Sequence, residues 1–138
     1  MDTTPELLTL DQARAFFRKD RFASGSGMTI EDAAPGFARI RLLLTEAHQN
    51  AMGFLMGGVA LTMADFSCAV ASHFGPGAGQ WVSVDAQVSF LNPCRGQTLL
   101  CEATRLKGGK RLSWYEVSIR DELDTPVARA TFTMYRRV

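Results

Sequence analysis

This chain of 138 residues has no apolar run of about 18 residues or more, so no helix of it is expected to span a bilayer. It has no excess of either charge: 15 Lys and Arg stand against 14 Asp and Glu, for a net charge of +1. Bulk electrostatics therefore argue for neither a nucleic-acid nor a membrane-surface partner. It has only two histidines, His48 and His73, and neither has a companion at ligand spacing, which argues against a zinc site. Its three cysteines, Cys68, Cys94 and Cys101, show no C-x-x-C spacing. An odd number of unpaired thiols is the pattern of a reduced, cytoplasmic protein. No G-x-S-x-G elbow occurs, and Ser67 and Cys68 have no evident histidine partner. The N-terminal stretch MDTTPELLTL lacks the basic and apolar regions of a secretory signal. What is present is an ordinary globular balance, 46% hydrophobic and 21% charged, at the size of one domain. Residues 1–138 are read as that single domain, without linker, repeat or low-complexity tract.

One stretch organises the rest. From Asn50 to Ser72 a glycine-rich turn becomes a long apolar run, and Asp65 is the only Asp, Glu, Lys or Arg between Glu46 and Asp85. An unpaired charge in apolar surroundings costs several kcal/mol in order of magnitude. Asp65 is therefore paired, set at a wet cleft, or kept for chemistry. Gly57-Gly58 starts a helix that runs to about Phe74, where GPGAG (75–79) stops it. At helical spacing Val59, Met63, Phe66 and Val70 form a stripe for the core. Gly58, Thr62, Asp65, Ala69 and Ser72 form a second, small and polar stripe, so Asp65 need not be buried. The free N–H groups at the helix start favour negative charge, and the two glycines let a ligand approach the backbone. Such a site polarises a carbonyl and stabilises an oxyanion. Taken singly, an isolated helix charge is as readily a solvated one, and a Gly-Gly pair as readily a turn. Together they suggest acyl-transfer chemistry, with a carboxylate as general base on water or as direct nucleophile.

The remaining chain reads as scaffold. TLDQARAFFRKD (9–20) forms a short amphipathic helix capped by Thr9, and ASGSG (23–27) a loop. Residues 28–44 form two strands turning at Ala34-Pro35-Gly36, and 46–55 a loop. WVSVDAQVSFL (81–91) alternates, with Val82, Val84, Ala86, Val88 and Phe90 on one face and Ser83, Asp85, Gln87 and Ser89 on the other. Strands follow at 97–107, 110–121 and 127–137, joined by a two-residue Gly108-Gly109 hairpin and a turn at Asp124-Thr125-Pro126. The expected class is α+β, with one long helix covered by an antiparallel sheet. An open edge strand is expected to be blocked or paired with another subunit.

Asn50, Met56-Gly57-Gly58, Ala64-Asp65, Val82-Ser83-Val84-Asp85 and Phe90-Leu91-Asn92-Pro93 stand at spacings that resemble the hot-dog-fold acyl-CoA thioesterases, in the PaaI-like branch. GKRLSWYEVSIRDELDTPVARATFTMYR is similar to that family's closing strands, and the likeness covers about residues 36–136. The resemblance implies a hot-dog fold and hydrolysis of an acyl-CoA to a free acid and coenzyme A, with no metal or redox cofactor. It implies Asp65 as base or nucleophile, the Gly57 amide as holder of the thioester oxygen, and Asn50 as placing the carbonyl or the water. It implies that Ser83 orients the water or the carboxylate from the other subunit of a homodimer, two of which often form a tetramer. Lys107, Gly108, Gly109, Lys110 and Arg111 could meet the phosphates of coenzyme A, although an ordinary charged hairpin accounts for them slightly better. Phe54, Leu55, Met56, Met52 and Trp81, with Gly58 beside them, are candidates for the acyl pocket.

The family's usual histidine is Met56 here, and methionine neither donates a hydrogen bond nor carries charge. If that histidine mainly shapes the site, Asp65 and Gly57 suffice. If it tunes the reaction, the chain is slow, or is a non-catalytic acyl-CoA-binding module. A hydratase is disfavoured, because no histidine–acid pair is visible around Asp65.

Overall fold

The structure, a computed structural model, describes residues 4–137. Two short helices, α1 (Leu10–Phe17) and α2 (Arg21–Gly25), precede the long helix α3 (Gly57–His73). The strands are β1 (Thr29–Ala34), β2 (Phe37–Leu43), β3 (Trp81–Phe90), β4 (Thr98–Gly108), β5 (Leu112–Asp121) and β6 (Pro126–Arg136). All pair antiparallel in one sheet of order β1-β2-β4-β5-β6-β3. The sheet wraps α3, which is the expected hot-dog arrangement with a short N-terminal helix. No helix among the described residues is long and apolar enough to cross a membrane.

Local signals explain the element ends. Thr9 accepts from the Gln12 N–H at 3.1 Å, and the Gln12 side chain accepts from the Thr9 N–H at 3.2 Å, a complete capping box. The helix then ends at Phe17, earlier than expected, and residues expected as loop form α2. Burial of Ala23, and the edge-on packing of Phe17 on Phe66 at 5.8 Å, hold this N-terminal segment against α3. At the other end of α3, Phe74 takes extended backbone and Gly75 takes φ 109°, a conformation that only glycine adopts cheaply.

Two expectations are corrected by the packing. Helix α3 does not keep two clean faces: Ser67, Cys68, Ser72 and His73 are buried, whereas Val59 is only partly so. The sheet curls around the second half of the helix, so residues on several sides are enclosed. Ser72 satisfies its hydroxyl on the Ala69 carbonyl at 3.1 Å. The β4–β5 connection is also longer than a two-residue hairpin. Gly108 remains in the ladder opposite Ser113, the turn is Gly109–Lys110–Arg111, and a bulge lies between Arg105 and Lys107.

The loop from Cys94 to Thr98 is held by two neighbouring carboxylates. Asp121, 1% exposed, accepts from the N–H groups of Arg95 and Gly96 through one oxygen and from those of Leu123 and Thr125 through the other. Glu122 accepts from the amides of Gln97 and Thr98. Burial raises the Asp121 pKa, but the amide bonds from Thr125, Arg95 and Gly96 outweigh it and hold the carboxyl well below the usual carboxylate range. Asp121→Ala leaves four amides without their acceptor and is expected to cost about 3 kcal/mol or more, read as a lowered denaturation midpoint. Because the folded pKa is depressed, the stabilisation is present above the unfolded value of about 3.9 and is lost as pH falls below it. The wild type should therefore lose stability on acidification more steeply than Asp121→Asn.

Candidate active site

Asp65 stands exposed on α3, and Ser83 of the edge strand β3 donates to its Oδ1 at 2.6 Å. Strand parity alone would turn Ser83 away from the helix if Ala86, Val88 and Phe90 face it. A β-bulge at Val84 resolves this. Ser83 pairs with Met134, Ala86 with Phe132 and Val88 with Ala130, all core-facing positions of β6, while the register shifts between Ser83 and Asp85. The extra residue re-aims Ser83 at the helix, a common use of bulges beside sites. With Oδ1 occupied by Ser83, Asp65 has Oδ2 available to a water or a substrate.

The helix start is built by the preceding loop. Asn50 Oδ1 accepts from the N–H groups of Met52 (3.0 Å) and Phe54 (3.1 Å), so its carbonyl end shapes the turn. Its amide end is what remains to face a ligand. Met56 occupies the N-cap position of α3 without a side-chain cap bond, because a thioether is no useful acceptor there. The first N–H groups of α3 are thus left without a capping side chain. A Cβ on Gly57 would lie 3.1 Å from the Phe90 ring, whereas one on Gly58 would meet nothing within 4 Å. Gly57→Ala is expected to lower kcat/KM by about tenfold or more by displacing Phe90 or the helix start. Gly58→Ala should leave the fold stable, with a gain of at most about 1 kcal/mol in thermal denaturation.

These two constellations lie apart within one chain. Gly57 and Asp65 are eight residues apart on one helix, or about 12 Å along its axis. They also open into different cavities. Gly57, Phe54 and Leu55 line one of about 320 Å³ with Phe90 and Asn92. Asp65 and Ser83 line one of about 510 Å³ with Phe22, Phe66 and Phe132. A single chain therefore does not bring the Gly57 amide to the Asp65 carboxylate. This corrects the expectation that Ser83 reaches Asp65 from another subunit: both belong to one chain and meet through its own β3–α3 packing.

The other candidates divide. Met52, Met56 and Trp81 line neither cavity, and Lys107, Gly108, Gly109, Lys110 and Arg111 stand at the exposed β4–β5 turn, away from both. Arg111 donates to the Tyr135 hydroxyl at 3.1 Å. His48 does not replace the missing histidine. It is buried, its Nδ1 accepts from the Thr45 N–H at 2.9 Å, and its Nε2 bonds the Ser26 carbonyl at 2.7 Å. Ser72 and His73, adjacent and buried, both bond the Ala69 carbonyl and offer no nucleophile. Burial raises the Cys68 thiol pKa and pushes that of Cys101 up to about 12, so both thiols stay protonated and inert. Asp20 and Phe22 are among the cavity residues that sequence reasoning missed, since nothing local ties the N-terminal segment to Asp65.

Comparison with known proteins bears on this geometry. The sequence profile of the Thioesterase superfamily matches residues 52–128. A putative esterase of Deinococcus radiodurans is 35% identical over 100 residues, which cover 72% of this chain and 66% of that one. The human acyl-coenzyme A thioesterase 13 is 30% identical over 96 residues, covering 69% of each chain. Among solved structures, zebrafish thioesterase superfamily member 2 is 26% identical with a TM-score of 0.83, over 94% of this chain and 99% of that one. The E. coli PaaI protein from the phenylacetic acid degradation operon has the same fold, at 23% identity and a TM-score of 0.83, over 94% of this chain and 97% of that one.

Proposed function

This chain belongs to the thioesterase superfamily and is a thioester hydrolase; from that premise we propose that it hydrolyses acyl-CoA to a free acid and coenzyme A at sites shared between two copies. The observation that carries the reading is the Ser83–Asp65 hydrogen bond, which prepares a carboxylate beside a cavity on a helix whose start offers free amides. In this reading the Gly57 N–H of one copy donates to the thioester oxygen, with the Asn50 amide beside it. Asp65 of the other copy takes a proton from water through Oδ2 as that water adds to the carbonyl carbon. The charge that develops on oxygen lies at the positive end of a helix dipole. Collapse breaks the C–S bond, and coenzyme A leaves as thiolate and is protonated. Ser83 holds the base in position. No step calls for a metal or redox cofactor.

The open edge supports the two-copy arrangement. Strand β3 borders the sheet, and its Val84 and Phe90 are 56% and 61% exposed. The opposite edge, β1, carries Glu31 and Asp32 and a bulge, features that blunt an edge. Pairing along β3 would cover the apolar side chains and bring each Asp65 toward the other copy's Gly57. The single-domain reading of residues 1–138 is part of this proposal. The test is incubation with short, medium-chain and aromatic acyl-CoAs, followed by mass spectrometry so that the three cysteines do not interfere. Release of coenzyme A from at least one substrate is expected, and tight binding without turnover of any would sink the hydrolase reading.

A further inference from the structure

Three aromatic rings line the Asp65 cavity: Phe22 of α2, Phe66 of α3 and Phe132 of β6. Its charged groups are of one sign. Asp20 and Asp85 join Asp65 in the lining, and no Lys, Arg or His does. Asp20 stands at the N-cap position of α2, yet its side chain makes no cap hydrogen bond, so its charge is not spent on the helix. The basic residues beside Asp20 in the sequence, Arg18, Lys19 and Arg21, are exposed and outside the lining. A second copy does not change the balance through its helix start or edge strand. Between Arg41 and Arg95 the sequence holds no Lys or Arg, and that stretch contains Asn50, Gly57, Asp65 and Ser83.

We propose that this cavity takes the acyl group and selects uncharged acyl groups, aliphatic or arylalkyl, against those that end in a carboxylate. The inference rests on the thioesterase reading above and narrows its substrate class. A terminal carboxylate lodged among three aspartates meets like charge and no partner, which is a means of rejection. A neutral chain or ring instead gains contact with Phe22, Phe66 and Phe132. The phosphates of coenzyme A stay outside the cavity and are unaffected.

The experiment compares valeryl-CoA with glutaryl-CoA, acyl groups of equal carbon count that differ in the terminal charge, using the full-length protein. The expected kcat/KM is about 10²-fold higher for valeryl-CoA. Asp20→Asn should narrow that ratio by about tenfold through a gain on glutaryl-CoA, and Asp20→Lys should narrow it further. Glu31→Gln, on the far edge strand, should leave the ratio where it was. Equal turnover of the two substrates, or a ratio that neither Asp20 variant moves, would overturn the selection and leave the hydrolase intact. Turnover of neither would overturn the selection, and the thioesterase reading falls with it only if no other acyl-CoA is hydrolysed.

Discussion

Asp65→Asn is expected to lower kcat by about 10² or more, the usual loss when a general base is removed. The substitution is nearly isosteric and Asp65 is exposed, so the fold should survive. The asparagine carbonyl can still accept from the Ser83 hydroxyl, which now donates at 2.6 Å. Positioning is thereby retained while the basic oxygen is lost. Thermal denaturation within a few degrees of wild type would confirm that the loss is chemical. Ser83→Ala should cost less, since it frees the carboxylate's orientation without removing it. Unchanged activity in Asp65→Asn would refute Asp65 as the base. If neither protein turned over any acyl-CoA but both bound it, Met56 in place of histidine would become the telling residue and acyl-CoA binding the better description.

The second large effect is a recovery. Two chains, Asp65→Asn and Gly57→Val, should each be nearly inactive alone. Co-expressed in equal amounts, about half of the dimers pair one variant with the other. In the proposed shared site, where Asp65 of one chain works with Gly57 of the other, each such dimer has one site with both defects and one site with none. About a quarter of wild-type activity should return, far above either variant alone. A site contained in one chain would return nothing. Asn50→Ala, which lies on the same side as Gly57, provides a second complementing partner should Gly57→Val press too hard on Phe90. The experiment is sensitive because the separation it tests is large: roughly two helical turns lie between Gly57 and Asp65.

Several features of this site were legible before any coordinates. Asp65 stood out because it was the single Asp, Glu, Lys or Arg of a long apolar stretch, and it is exposed as the helical spacing implies. Asn50 and Gly57 were placed by motif spacing. Their local geometry, an Asn-stapled turn leading into an uncapped helix start, agrees with that placement. Ser83 was expected to act from another subunit, and it bonds Asp65 within one chain. Its alternation suggested the face opposite Val84 and Ala86, and the bulge at Val84 has no signature in the run VSVDA. Asp121 read as the last residue of a strand, and its hold on Arg95 and Gly96 follows only from β5 lying beside β4.

What the sequence by itself determined is the long helix, the strands and the single carboxylate, Asp65, that the long helix carries. Helix α3 begins at Gly57 and ends before Gly75 because glycine and proline act on the few residues next to them, and strands alternate because the pleat has period two. Such rules are local, so a linear chain displays them. Only the tertiary structure decided that Ser83 meets Asp65, that Asp20 and Phe22 wall the same cavity, and that Gly57 opens elsewhere. Each of these depends on strand register, on a bulge, or on the docking of α2 against α3. Those are balances among contacts between residues distant in the chain, and no window of neighbouring residues contains them.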